Sequence, residues 1–281
     1  MLRTATALRT LEPRDREAVL ALCDLDPVAA VMLAEQVQRP LPARLGGEMW
    51  GFFEHGELRA ACWAGANLVP VNASSPGALE AFASRARRKG GAFSSLFGPA
   101  DAVLGIWERL QASGWRSRQV RGCQPLYAID HPSAVAADPQ VHRASADDLG
   151  VVLPASVAMF TEEVGYSPVS ADGGSSYRRR VAELLREGRT FVRRDADGQV
   201  IFKADLGALS ASVAQVHGVW VDPRFRGRGI AAPAMAAVVA ATLRENAQVV
   251  SLYVNDYNAR AVAAYRRVGF EQVGTFATVL F

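Results

Sequence analysis

The chain has 281 residues, half of them hydrophobic and 21% charged, with a formal net charge of +3 and a pI of about 8.9. This excludes wholesale disorder and leaves too weak a basic excess to argue for a nucleic-acid partner. The three cysteines, Cys23, Cys62 and Cys123, have no metal-ligand spacing and no disulfide framework, so reduced thiols in a cytoplasmic protein and no metal site are expected.

The N-terminal "MLRTATALRTLEPRDREAV" lacks the apolar core of a signal peptide. The first elements are a short strand, a polar cap and a helix in "ALRTLEPRDREAVLALC". A hairpin follows around "EHGE", then a strand in "NLVPVNA". A helix in "SPGALEAFASRARRKG" has Ser-Pro at its start and Gly at its end. "AFSSLFG" reads as a strand and "PADAVLGIWERLQASG" as a helix. "AIDHPSAVAADPQVHRA" is rich in Pro, Asp and small residues, as a linker is. The expected boundaries are residues 1–130, a linker over 131–140, and 141–281.

The second half repeats the order. "VHRASADDLGVVLPASV" opens it with strand, cap and helix, and "SYRRRVAELLREG" is an amphipathic helix. A hairpin turns at "DADG". "SASVAQVHGVWVD" is a long strand, and a small-residue helix runs from about Gly229 to Asn246. Its longest near-apolar run, "GIAAPAMAAVVAATL", is too short to cross a bilayer. "QVVSLYVN", "NARAVAAYRRVG" and "EQVGTFATVLF" complete a strand, a helix and a closing strand. The alternation predicts an α/β architecture with a mixed sheet. The similar openings of the halves predict two related folds in tandem.

The turn before the small-residue helix carries chemistry. A helix N-terminus offers unpaired N–H groups and partial positive charge, and it binds phosphate when the backbone can come close. Gly227 and Gly229 permit that approach, Ala231 keeps the next turn narrow, and Arg224, Arg226 and Arg228 add donors. A diphosphate-sized anion suits the segment; a solvated basic loop is the plainer alternative. It is not a Walker loop, because "GRGIAAPA" lacks Lys followed by Ser or Thr. Nor is it the dinucleotide fingerprint, since no acidic residue is placed for a ribose.

Arg226-Gly227-Arg228-Gly229-Ile230-Ala231 resembles the Arg/Gln-x-x-Gly-x-Gly/Ala signature of the GNAT superfamily of acyl-CoA-dependent N-acyltransferases. Downstream, Asn258, Ala261, Tyr265, Gly269 and Phe270 resemble its Asn-x-x-Ala-x-x-x-Tyr-x-x-x-Gly-Phe. The likeness covers roughly Val141 to Phe281. The whole chain is also similar to two-domain actinobacterial GNAT proteins whose first domain is uncharacterised; here that domain would be a degenerate copy of an intact C-terminal one. The resemblance implies acetyl-CoA as co-substrate and no metal. Its pantetheine would pair with the backbone of Val219 and Val221 on a splayed strand, and its diphosphate would sit on the amides of Arg226, Gly227, Arg228, Gly229, Ile230 and Ala231. An amine would attack the thioester directly, with the oxyanion near the Val219 N–H. Tyr265 matches the general acid, with core packing as its alternative. Asn258 reaches the cofactor arm, caps its helix, or does both.

The base stays open among His217, Glu162, Glu163 and none. Period-two alternation puts His217, Val219 and Val221 on one face, and a structural histidine is the alternative there. Glu162 and Glu163 fall in "MFTEEVGYSP", the loop region that often covers the acceptor site in the family; a solvated acidic pair is the alternative. The expected activity is N-acetylation of an amine on a small molecule or protein, by a monomer or homodimer with no membrane partner. A non-catalytic acyl-CoA sensor is the second class. An aminoacyl-tRNA-dependent transferase is disfavoured by the intact diphosphate turn.

Overall fold

The computed structural model describes residues 7–39, 47–90, 93–169, 173–245 and 247–281. The expected helix end at Asn246 and the first six residues lie outside them. The chain divides into two compact units. The first comprises Met1–Tyr127, Tyr253–Asn258 and Gln272–Phe281; the second comprises Ala128–Leu252 and Ala259–Glu271.

In the first unit the strands run β1(Ala7–Thr10), β2(Glu48–Glu54), β3(Glu57–Ala64), β4(Asn67–Val71), β5(Ser95–Pro99) and β6(Gln119–Ile129). The chain's last strand, β12(Glu271–Leu280), lies between β5 and β6 in the order β1-β2-β3-β4-β5-β12-β6. β4 is parallel to β5, and β12 is antiparallel to it. Both faces of β2 are apolar, so both must be covered. Met49 meets α1(Arg16–Cys23) and α2(Val31–Gln38) through Val19, Leu22 and Leu33. Trp50 and Phe52 point the other way, into a core with Phe82 of α3(Pro76–Lys89) and Ile106 of α4(Ala100–Ala112). Ala277 and Val279 of β12 are sealed in that core. A buried polar chain pins β12 to β6: Thr278 Oγ1 donates to Gln124 Oε1 at 2.7 Å, and Gln124 Nε2 donates to Asn255 Oδ1 at 2.9 Å.

The second unit has the order β11-β10-β9-β8-β7. Its strands are β7(His142–Arg143), β8(Thr190–Arg194), β9(Val200–Leu209), β10(Val213–Val221) and β11(Val249–Tyr253). α5(Leu149–Val164) and α6(Ser175–Arg186) cover one face, where Val152, Val181 and Leu185 pack with Val192, Val200 and Trp220. α7(Ala231–Glu245) buries Ala234, Met235, Val238 and Val239, and α8(Ala259–Val268) packs beside it. No helix among the described residues is long and apolar enough to cross a membrane.

The expected α/β mixed sheet is present, and the two polar caps prove alike. Asp15 Oδ2 accepts from the Glu12 N–H before α1, and Asp148 Oδ2 accepts from the Ser145 N–H before α5, each closing a capping box. Sequence reading missed α2 and β6. The latter continues to Ile129, into the stretch taken for linker. The closing strand was expected in the C-terminal fold, yet from Gln272 onward it belongs to the first unit.

Val279→Asp would bury a charge with no partner in the first unit's core. A loss of about 3–5 kcal/mol in urea unfolding is expected; a change within ~0.5 kcal/mol, as for a surface site, would remove Val279 from that core.

Candidate functional site

β10 is paired on both sides only at its start. Its parallel register with β11 is Val213↔Val249, Ala214↔Val250 and Gln215↔Ser251, and then stops, while β10 runs on to Val221. On its other side β10 stays paired to β9, down to Val221↔Phe202. The two strands therefore diverge. The Asp222 N–H donates to Ile201 O of β9 at 2.9 Å, so by alternation the peptide groups of Val221 and Val219 face the widening gap. A tethered chain with amide groups could add there as a strand does.

A bulge shapes this stretch. His217 pairs with Asp205 and Trp220 with Lys203, so Gly218 and Val219 together oppose the single residue Ala204. Gly218 takes φ +56°, and a Cβ there would meet Met159, Asp205 and Lys203. The bulge corrects the expected alternation: His217 and Trp220 share a face, because their partners Asp205 and Lys203 do. Lys203 is fully buried. Its Nζ donates to Asp205 Oδ2 at 2.6 Å and to the Gly218 carbonyl at 3.3 Å, while Thr190 Oγ1 donates to Asp205 Oδ1 at 2.9 Å. This satisfied ion pair clamps the bulge. Sequence reasoning missed it, although one of only two lysines in the chain, alternating with an aspartate inside the apolar run "VIFKADLGAL", was a visible signal.

His217 is held within this layer. Its Nε2 lies 2.8 Å from Gln215 Oε1, and its ring occupies the space a Cβ on Gly207 would need. Burial, then the charge of Arg180, depresses its pKa to about 4, against the opposing pull of Asp205. The ring is thus a neutral group with a structural partner on its own strand.

At the turn, Gly227 and Gly229 have φ near +77°, a conformation that favours glycine, and nothing lies within 4 Å of either missing Cβ. The N–H groups of Gly227, Arg228, Gly229, Ile230 and Ala231 have no acceptor among the described residues. The three arginines differ in use. Arg224 turns back on Asp222, Nη2 to Oδ2 at 2.7 Å, which lowers the carboxyl pKa. Arg226 donates from Nε to Val221 O at 2.9 Å and from Nη2 to Glu162 Oε2 at 2.6 Å. Arg228 lies over the Phe225 ring at 5.0 Å and forms no ion pair among the described residues.

Glu162 and Glu163 lie on the last turn of α5, closed by Gly165 at φ +84°, and not in a loop as expected. Trp220 Nε1 donates to the other Glu162 oxygen at 3.1 Å, so both oxygens are engaged. Tyr265, on α8, is 7% exposed and packs edge-on to Phe270 at 6.0 Å. Burial, then the charge of Glu163, raises its pKa, keeping the phenol protonated. Asn258 directly precedes α8, and its N–H donates to Asn255 O at 2.9 Å. No group of three or more His, Cys, Asp or Glu among the described residues is placed to hold a metal.

The matching junction of the first unit is built differently. β4 carries Pro70, which has no N–H, and one N–H in the first turn of α3 is capped from within, Ser75 Oγ accepting from the Ala78 N–H at 3.2 Å.

Because folded His217 stays neutral down to about pH 4 while an unfolded histidine protonates near 6.5, stability is fullest above pH 6.5 and falls as pH drops to about 4. In His217→Gln this part of the urea-unfolding pH profile is expected to flatten; an unchanged profile would show that His217 is not the group responsible.

Comparison with known proteins agrees with this geometry. Residues 159–270 match the family model described as Acetyltransferase (GNAT) family, and residues 47–152 match a domain of unknown function, DUF4081. An uncharacterized N-acetyltransferase of Methanocaldococcus jannaschii is 37% identical over 60 residues, 21% of this chain and 26% of that protein; the match thus spans about a quarter of the relative. Among solved structures, a Drosophila protein aligns over 99% of both chains with TM-score 0.70 and 13% identity. A GNAT-family acetyltransferase from Colwellia psychrerythraea aligns over 98% of this chain and 99% of its own, with TM-score 0.57 and 14% identity. A tandem GNAT protein from the clavulanic acid biosynthesis pathway aligns over 98% of both, with TM-score 0.55 and 17% identity. At such identities these structures speak to the fold alone. The diverging strand, the glycine turn and the sequence match lie in one segment: residues 159–270 match the GNAT acetyltransferase family model, in a chain whose fold is similar to that of a tandem GNAT protein.

Proposed function

We propose that the protein transfers an acetyl group from acetyl-CoA to a primary amine. One observation carries this reading: the gap that opens beyond Gln215 and Ser251 leads toward the amides of Gly227 to Ala231, which have no acceptor among the described residues. A thioester carried on a long amide-bearing arm and a diphosphate needs that combination. The diphosphate is held by the amides at the start of α7, and the arm lies against Val219 and Val221. The Val221 carbonyl, bonded to Arg226 in this structure, is released to the arm when Arg226 turns to the phosphates.

In the reaction the lone pair of the amine nitrogen forms a bond to the thioester carbon, and the carbonyl π pair moves onto the oxygen. The Val219 N–H stabilises that oxyanion. Collapse restores the carbonyl and breaks the C–S bond. The departing thiolate takes the Tyr265 proton, for which a phenol held protonated by burial is suited. The amine proton leaves toward Glu163, the carboxylate whose charge is felt at Tyr265, through water. Glu162, with both oxygens bound, ties α5 to β10 and the turn and is not the base.

Gly229→Asp places a carboxylate where the diphosphate charge is proposed to sit. CoA affinity by calorimetry is expected to fall about 10-fold or more, some 1.4 kcal/mol or above, with the fold intact by circular dichroism. Unchanged affinity would remove the turn from the site. Tyr265→Phe is expected to lower turnover of acetyl-CoA with an amine panel about 10–100-fold, with CoA affinity retained. Full activity in this variant would return Tyr265 to a packing role, and CoA binding without turnover by the unmodified protein would favour a sensor.

A further inference from the structure

At the inner end of the gap lies a polar row that the reaction above does not use. Gln215 and Ser251 are the last aligned pair before β10 and β11 part, and residues aligned on neighbouring strands point to the same face of a sheet. Both residues are fully buried. Gln215 Oε1 is engaged by the His217 ring, whose Nε2 lies 2.8 Å away. An amide oxygen only accepts, so His217 Nε2 carries the proton. Gln215 Nε2 and Ser251 Oγ, in contrast, have no hydrogen-bond partner among the described residues. One such atom in an interior is an exception that needs a reason. Two of them, on aligned side chains at the row that closes a gap, point to a shared partner.

The chemistry of that partner is narrow. The amide nitrogen only donates, whereas a hydroxyl donates and accepts. One oxygen atom satisfies both, accepting from Nε2 and exchanging a hydrogen bond with Oγ. Neighbouring strands lie about 4.8 Å apart, close to the span of two hydrogen bonds of roughly 2.8 Å that meet at one oxygen. A buried water needs two to four such polar partners. In the acetyl-CoA reading the arm runs inward past Val221 and Val219, so what is attached beyond the thioester carbon extends toward the row where pairing resumes. The Gln215 amide reaches back toward that carbon, because it meets the His217 ring two residues on.

We propose that Gln215 and Ser251 hold a water at the inner end of the gap and thereby restrict the protein to short acyl groups. The proposal rests on the acetyl-CoA reading above. An acetyl group stops short of the water. A longer saturated chain displaces it and supplies no oxygen in exchange, which strands the Gln215 donor and the Ser251 hydroxyl. A site built around hydrogen bonds rejects a group lacking them more sharply than an apolar slot rejects an extra methylene. The two side chains act through the water and do not touch the reacting atoms, so they are positioning residues.

Calorimetry with CoA, acetyl-CoA and butyryl-CoA tests this without an acceptor amine. The unmodified protein is expected to bind butyryl-CoA about 10–100-fold more weakly than acetyl-CoA, the scale of leaving buried polar groups unpaired. In Ser251→Ala that ratio is expected to fall, and in Gln215→Leu combined with Ser251→Ala to reach about threefold or less. CoA, which carries no acyl group, should bind both variants as it binds the unmodified protein, which also reports that the fold is sound. Equal affinity for acetyl-CoA and butyryl-CoA in the unmodified protein would overturn this proposal and leave the acetyl-CoA reading standing. So would a ratio unchanged in the double variant, since narrowness alone would then exclude the longer chain. Loss of CoA itself in the variants would make the pair a support of the whole gap and likewise overturn it. Failure of the unmodified protein to bind CoA or either thioester would overturn both.

Discussion

The parting of β10 from β11 after Gln215 and Ser251 is the constraint on which the rest of the second unit's chemistry depends. A strand inside a sheet is normally bonded on both sides, and unpaired backbone groups in a protein interior are costly. This one forgoes its partner over its last residues while β9 continues to hold it. The departure is stabilised locally. Gly218 accepts a left-handed backbone, and the buried Lys203 ties the bulge to Asp205, which Thr190 holds in turn. Replacing such a pair by apolar residues is often no loss in stability, so its presence beside a gap fits a role in aiming the backbone of Val219.

Charge at the turn follows a similar economy. Three arginines in five residues look interchangeable, yet each has a separate setting. Arg224 is committed to Asp222, Arg226 bridges the Val221 carbonyl and Glu162, and Arg228 rests on Phe225. The bridge from Arg226 to Glu162, with Trp220 on the other oxygen, links the last turn of α5 to the glycine turn before α7. Both ends of that pair are partly exposed, so it is weak enough to exchange. A carboxylate in Arg226's grasp is the intramolecular counterpart of a phosphate oxygen.

Much of this was legible in the sequence, and the reasons are local. A glycine pair between a strand and a small-residue helix, and a tyrosine spaced from Asn258 and Gly269, are short-range signals that tertiary context seldom overrides. The caps at Glu12 and Ser145 were visible for the same reason. What escaped depends on pairing across the sheet. The bulge at Gly218 reverses the side that alternation assigns to Trp220, and only the partner strand reveals it. Glu162 and Glu163 looked like loop residues because Gly165 and Pro168 follow closely, but the helix runs through them to Gly165. β6 carries Gly122 and Pro125 and has a mostly exposed first half, so it gives no clean period. Nothing in "EQVGTFATVLF" says that the strand completes the first unit, where Ala277 and Val279 are sealed in the core.

The most direct measurement of the central claim is amide hydrogen exchange of the whole protein with and without coenzyme A. The account predicts slowed exchange at Val219 and Val221 and from Gly227 through Ala231, because those N–H groups acquire acceptors in the nucleotide and its arm. Saturating coenzyme A that leaves exchange across this stretch unchanged while protecting another part of the chain would contradict it.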